Sequence, residues 1–222
     1  MSAKRTESVE RAMSILLAFT TENSKLTLTE LALETGLHKS TVLRLTNSLT
    51  LYGFMQRDST GKFSVGPSVW QLGLLFRKDF LSREVLKPGL LRLVEASGET
   101  ASFYVRAGDQ RVCLYRENSP NVVRVHAEEG IRLNLTTGAS GLVLRHFSGE
   151  DTGRVDEINE NGTAHSVGET LPDISSIATP VFSSAGDLLG ALTISGVRSR
   201  FDRAARDRAV PVLEEVARSL PV

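Results

Sequence analysis

Lys39, Ser40, Thr41, Arg44 and Asn47 lie close together in the run KSTVLRLTNSL. Spaced at three and four residues, they share one side of a helix with Thr46 and Ser48. Hydroxyl, amide and guanidinium groups on one helical face suit a polyanion with readable edges. The small side chains reach phosphate oxygens and base edges in a DNA major groove, and Arg44 can span a guanine edge. Further on, Arg57 and Lys62 flank Asp58-Ser59-Thr60-Gly61, a turn-forming tetrapeptide. Cations at such a tip can meet the phosphates beside the groove.

Other chemistries are poorly served. Gly138-Ala139-Ser140-Gly141 lacks the full G-x-S-x-G spacing of a nucleophile elbow, and no G-x-x-x-x-G-K-S/T phosphate loop occurs. His38, His126, His146 and His165 are scattered without metal-ligand spacing, and Cys113 is the only cysteine. No catalytic residue, metal site or cofactor is expected. Cys113 reads as a core or near-core thiol.

The elements that must carry these residues follow from periodicity. Leu28, Leu31 and Ala32 mark a short helix with Thr29 as its N-cap, Glu30 in the first turn and Gly36 ending it. Val42, Leu45 and Leu49 form the apolar stripe of the next helix, opposite its polar front. Residues 54–57 and 62–65 are two strands of a hairpin. Helix, tight turn, helix and charged hairpin make a winged helix-turn-helix. Upstream, residues 8–20 form a first helix with a broad apolar face, preceded by Lys4 and Arg5 as a short basic arm. The alternative for that arm is a solvated terminus.

Beyond the hairpin, Pro67 opens a helix carrying Val69, Trp70, Leu72, Leu74, Leu75 and Phe76, an apolar surface that needs a cover. Residues 83–96 form an amphipathic helix that Pro88 kinks or restarts. The period then changes to two: strands at 99–107 and 110–117, a third at 121–127, a helix at 140–147, and a hairpin from 174–182 and 188–196. A final helix capped by Asp202 spans about 203–219. Residues 151–169 are polar and carry no clear period. Helices flanking antiparallel hairpins give an α+β domain.

The chain has 222 residues, 41% hydrophobic and 23% charged, enough for two domains, with zero formal net charge. The charge is unevenly placed. Residues 1–80 hold 10 Lys+Arg against 7 Asp+Glu, a net of +3, leaving 16 against 19 in residues 81–222. So small an excess requires dimerisation and local placement of cations for DNA affinity. A single cysteine, a polar N-terminus and no long apolar run point to a cytoplasmic protein without a membrane segment.

In order along the chain, SVERAMSILLAF, LTLTELALETGLHKSTVLRLTNSL, GFMQRDSTGKFSVGPSVWQLG, SGETASFYV and IATPVFSSAGDLLGALTISG, followed by the terminal helix, resemble the IclR family of bacterial transcriptional regulators. The resemblance covers nearly the whole chain. It implies a winged helix-turn-helix DNA-binding domain at 1–66, a linker helix at 67–81 and a GAF-like effector-binding domain with an antiparallel sheet at 82–222. It also implies homodimers or tetramers on palindromic double-stranded operators, more often as repressors. The DNA-facing set would be Thr29, Lys39, Ser40, Thr41, Arg44, Asn47, Arg57 and Lys62. Three departures stand out: His38 replaces the usual Pro before Lys-Ser-Thr, Thr136 replaces a His in the ligand-side loop, and Leu142 follows Gly141 where Lys is usual. The segment before Ile174 is shorter than usual, with Glu169 its remaining acid and Ser166 where an acid often stands.

By the same resemblance the effector pocket is lined by Val122, Val125, Ala139, Ser140, Ser166, Ser176, Thr193 and Ser195. A loop of small residues leading into a helix exposes N–H groups at a positive helix end, a seat for a carboxylate. Hydroxyls of Ser176, Thr193 and Ser195 add hydrogen bonds, and the last two share a strand face. This mapped lining holds no Lys or Arg, so a small organic acid would be held by neutral donors alone. The plainer alternative is a solvated hydroxyl face with Gly138-Ala139 serving tight packing. Two other functional classes remain: an enzyme built on the GAF-like domain, and a winged helix that binds protein.

Overall fold

A computed structural model describes residues 5–79, 81–126 and 128–220. The chain divides into two compact units, 1–79 and 80–222.

The first unit begins with α1 (Glu7–Leu17), α2 (Leu28–Thr35) and α3 (Lys39–Leu51). The wing strands β1 (Met55–Arg57) and β2 (Phe63–Val65) follow, then α4 (Pro67–Asp79). Its core is Ile15, Leu26, Leu31, Val42, Leu49, Met55 and Phe63, one or two residues from each early element. The N-cap of α2 is Thr27 rather than Thr29. The Thr27 hydroxyl accepts the Glu30 N–H at 3.2 Å, and the Glu30 carboxylate accepts the Thr27 N–H at 2.7 Å. This reciprocal box wins because Glu30 stands three residues after Thr27. Gly36, at φ 66°, closes α2 in the left-handed conformation and lets the chain turn into α3. Leu26 and Phe63 exchange backbone hydrogen bonds of 2.9 and 2.7 Å, so the wing gains a third, one-residue strand.

The second unit contains α5 (Arg83–Ser97), β3 (Thr100–Ala107), β4 (Gln110–Glu117), β5 (Arg132–Asn134), α6 (Ala139–Phe147), β6 (Ala164–Val167), β7 (Ile174–Phe182), β8 (Leu188–Val197) and α7 (Arg203–Ser219). The strands form one antiparallel sheet in the order β5-β4-β3-β8-β7-β6. Alternation on each strand separates two cores. Ala101, Phe103, Leu192 and Ile194 pack with Leu86, Leu90 and Leu93 of α5 and Leu213 and Val216 of α7. Tyr104, Cys113, Ala178 and Ala191 pack with Ala139, Leu142 and Val143 of α6 on the other face. The helix α5 runs through Pro88 without a break. Asp202 caps α7 by accepting the Ala205 N–H at 2.8 Å.

Two expectations change. The strand expected at 121–127 does not form: the described part, 121–126, is irregular and Ala127 lies outside the described residues. Ser119-Pro120-Asn121 instead ties itself to the Gly98 carbonyl, through the Ser119 hydroxyl at 2.6 Å and the Asn121 amide at 2.9 Å. The edge of β4 is taken by β5, with Val112 opposite Arg132. Within 151–169 the structure forms β6, whose four residues are too few to show a period in the sequence.

Candidate DNA interface and ligand face

The DNA-facing candidates lie on the first unit. Lys39, Ser40, Arg44, Asn47 and Ser48 are exposed on α3, and Thr41 is half-buried. Thr46 departs from the expected polar front. It is fully buried, four residues after Val42 and three before Leu49, and its hydroxyl donates to the Leu43 carbonyl at 3.0 Å. That local bond satisfies the hydroxyl and lets Thr46 join the apolar stripe. His38 occupies the N-cap of α3 without a side-chain cap bond. Thr29 is exposed in the first turn of α2.

The wing tip is built around Asp58. Its carboxylate accepts from the Thr60 N–H, the Thr60 hydroxyl and the Lys62 N–H at 2.6–3.1 Å, and pairs with Lys25 at 3.2 Å. The Thr60 hydroxyl first, and Lys25 next, hold this carboxyl far below the usual carboxylate range. Arg57 lies over the Phe63 ring at 5.1 Å and donates from Nε to the Gly61 carbonyl at 3.1 Å. Lys62 is exposed beside it. These bonds shape the tip and leave Lys62 and much of the Arg57 guanidinium facing outward. Sequence reading missed the Lys25–Asp58 pair, which joins residues 33 apart. Lys4 of the basic arm lies outside the described residues, and exposed Arg5 pairs with Glu10 at 3.6 Å.

The hydroxyl candidates gather on the α6 face of the second unit's sheet. Strand register aligns Ser166, Ser176, Ser195 and Thr100 in one row. The next row is Ala164, Ala178, Thr193, Ser102 and Arg116. Ser166 and Ser176 share a hydroxyl–hydroxyl bond at 3.2 Å. Ala139 and Ser140 are buried in the first turn of α6 above this face. Val125 borders it, accepting from the Thr100 hydroxyl through its carbonyl at 3.2 Å. Val122 does not belong: it is 95% exposed on the irregular segment that replaced the expected strand.

The loop before α6 holds a carboxylate of its own. Glu169 accepts the Gly138 N–H at 2.9 Å and is paired with Arg154 at 2.7 and 3.1 Å. Arg154, followed by burial and the Gly138 bond, sets its titration, and the net shift is below the ordinary value. Part of the glycine pattern is packing, since a Cβ at Gly141 would stand 2.4 Å from the Leu135 carbonyl oxygen.

The expected cation-free lining is also corrected. Arg111 and Arg116 both lie on this face. Arg111 donates to the carbonyls of Asn134 and Thr137 and stacks 5.7 Å from the Tyr104 ring. Arg116, 7% exposed, donates from Nη2 to the Asn118 side-chain carbonyl and stands 3.5 Å from His126 Nδ1. Its Nη1 is buried without a partner, as is the Thr193 hydroxyl. Burial pushes Tyr104 up to about 12 and Cys113 up to about 11, so both stay neutral near pH 7. A β-bulge explains the presence of Arg116. Tyr104 faces Cys113 while Phe103 faces Tyr115, which leaves Leu114 unpaired and reverses the phase of β4 beyond it. An unbroken alternation would have placed Arg116 opposite Arg111 and Cys113. The two-residue spacing of Thr100, Ser102 and Tyr104 was a usable sequence signal for the rest of the row; the bulge had none.

Comparison with known proteins adds a family context. Residues 8–59 match the family model for the IclR helix-turn-helix domain, and residues 152–222 match that for the bacterial transcriptional regulator IclR C-terminal region. The chain is 28% identical to the HTH-type transcriptional regulator BhcR of Paracoccus denitrificans, covering 96% of this chain and 85% of that protein. It is 25% identical to the regulator KipR of Bacillus subtilis, over 96% and 93% of the two chains. It is also 25% identical to the repressor AllR of Escherichia coli, over 90% and 83%. Among solved structures, an IclR-type regulator from a Silicibacter species aligns with a TM-score of 0.76 at 25% identity, over 96% of this chain and 94% of that one. An IclR homolog from Microbacterium hydrocarbonoxydans, solved in complex with 4-hydroxybenzoate, aligns at 0.66 with 18% identity, over 96% and 100%.

Proposed function

This chain belongs to the IclR family of bacterial transcriptional regulators, and from that premise we propose that it is a ligand-controlled repressor that binds a two-fold operator as a homodimer. The observation that carries the reading is the exposed polar front of α3, Lys39, Ser40, Arg44 and Asn47, beside a wing whose tip presents Lys62 and Arg57. Residues on α3 would read base edges, and the wing cations and Thr29 would hold the flanking backbone. A gel shift with the DNA upstream of the protein's own gene tests this. Sequence-selective retardation that weakens steeply with salt is expected. Retardation no stronger than that of unrelated DNA would overturn it in favour of a protein-binding winged helix.

The dimer reading rests on α4. Trp70, Leu74, Leu75 and Phe76 are 44–68% exposed on one short helix. Together with the wing end, Val65, Gly66, Val69, Trp70, Gly73 and Leu74 line an apolar groove of about 360 Å³. A second copy of this chain is the occupant that fits a palindromic operator, because a two-fold axis presents two recognition helices about 34 Å apart. Pairing of dimers into tetramers remains the alternative assembly.

The ligand reading places a small polar or anionic organic molecule on the hydroxyl face, beneath residues 136–141 and α6. Ser140, Ser166, Ser176, Thr193 and Ser195 supply the donors. Such a ligand regulates only if it binds one arrangement of the paired DNA-binding units better than another. The α4 helix, which leads in sequence from wing to ligand domain, is the natural carrier of that difference. We assign the protein a regulatory and cytoplasmic role rather than a catalytic one. Support comes from the family; also, no helix among the described residues is long and apolar enough to cross a membrane.

A further inference from the structure

Arg116 is a buried cation without a counter-ion. Among the described residues no carboxylate lies within ion-pair distance of its guanidinium, whose partners are the neutral Asn118 side chain and a ring nitrogen of His126. Two acids nearby have other partners: Glu129 accepts the Arg116 backbone N–H at 3.0 Å and is paired with Arg83 at 2.6 Å, and Glu128 stands 3.8 Å from His126 Nε2. The neighbours on the same face, Ser102, Tyr104 and Cys113, are neutral. Taking a guanidinium out of water without an opposing charge is unfavourable, and buried charges are ordinarily paired. The β4 bulge that turns Arg116 onto the hydroxyl face, away from the side where regular alternation would put it, makes the placement a built feature of the sheet.

Along the same row lies a second unfilled bond, the Thr193 hydroxyl, 2% exposed and unpartnered. Arg116 on β4 and Thr193 on β8 are separated by one strand, β3, and thus by about 10 Å at the backbone. The arginine side chain is long enough to reach across part of that span, over Ser102 of β3.

We propose that Arg116 is the charge anchor of the ligand face, seating the carboxylate of a small organic acid whose second oxygen bonds to Thr193. This rests on the ligand reading above, and it replaces neutral donors with a guanidinium as the group that selects acids over their amides. Arg presents a planar pair of donors that matches a carboxylate, which a lysine would not reproduce.

The test uses the full-length protein and paired probes: pyruvate, benzoate and 4-hydroxybenzoate, each beside its neutral amide. Thermal unfolding should show that at least one acid raises the melting temperature with dose while its amide does not. Arg116→Met should weaken that acid at least tenfold and Arg116→Lys less. Arg116→Met without ligand should melt no lower than wild type, because it removes an unpaired buried charge. Thr193→Val should weaken pyruvate or 4-hydroxybenzoate more than benzoate. Equal acid binding by Arg116→Met and wild type would overturn the anchor. If Ser140→Leu still abolished that binding, the ligand face would stand without it. A lower melting temperature for ligand-free Arg116→Met with unaltered acid affinity would make Arg116 structural. Amides binding as tightly as acids, or no acid binding at all, would also overturn the anchor.

Discussion

Arg44 and Lys62 test opposite halves of the DNA reading. Arg44 stands exposed on the polar front of α3, where a guanidinium can make two bonds to one guanine edge. Arg44→Ala should cost about 1–3 kcal/mol of operator affinity and relax selectivity at one base pair. Lys62 sits at the wing tip, so Lys62→Ala should weaken all DNA sequences alike and reduce the salt slope by about one. Fluorescence anisotropy titrations with operator and scrambled DNA at several salt concentrations would distinguish them; unaltered affinity in both variants would refute the assignment. On the ligand side, Ser140 is 3% exposed in the first turn of α6. Ser140→Leu should abolish the ligand response by filling its space, and a wild-type response would move the site elsewhere. The polar residues of α3 were legible because helical periodicity places them, whereas Thr46 was misplaced because its backbone bond to Leu43 makes burial tolerable.

At the level of elements, two local devices hold the sites in shape. The Thr27–Glu30 box starts the helix in front of α3. Thr27→Ala should cost about 1 kcal/mol of stability, while Thr29→Ala should fall within about 0.5 kcal/mol of wild type. Urea unfolding of both variants decides between the two capping assignments. The Glu169 bridge ties the α6 N-terminus to Arg154. Because its carboxyl titrates below the ordinary value of 4.5 when folded, its contribution is complete above about pH 4.5 and fades as pH falls through the lower folded value. Glu169→Gln should therefore lower the melting temperature at pH 7, and the gap from wild type should narrow on acidification. A gap of constant size from pH 7 to pH 3 would exclude the bridge as the cause.

For the whole molecule, α4 predicts assembly. Its exposed Trp70, Leu74, Leu75 and Phe76 form more apolar surface than a lone helix on a monomer commonly leaves in water. Sedimentation at micromolar concentration should report a dimer or a larger even assembly, and Trp70→Glu with Leu74→Glu should shift it towards monomer. A wild-type monomer at that concentration would contradict the model of paired recognition helices. Assembly also bears on charge: a net of +3 in residues 1–80 is modest, and doubling it on one DNA face strengthens phosphate attraction.

What residues 27–66 and the terminal helices form could be read from the chain alone. Their apolar spacing and turn residues, and the Asp202 cap of α7, act over three or four positions, so neighbours in sequence are the partners that matter; the α2 cap was placed two residues late, at Thr29 instead of Thr27. The Thr193–Ser195 alternation was readable for the same reason. Tertiary structure decided what depends on distant strands: the short β6 beside β7, the irregular 121–126 segment displaced by β5, and the bulge at Leu114. A one-residue shift in strand register exchanges the two faces of a sheet, and that shift is set by the pairing partner. Regular alternation along β4 would therefore put Arg116 on the face that meets α5 and α7, and only the bulged pairing with β3 brings it to the α6 face.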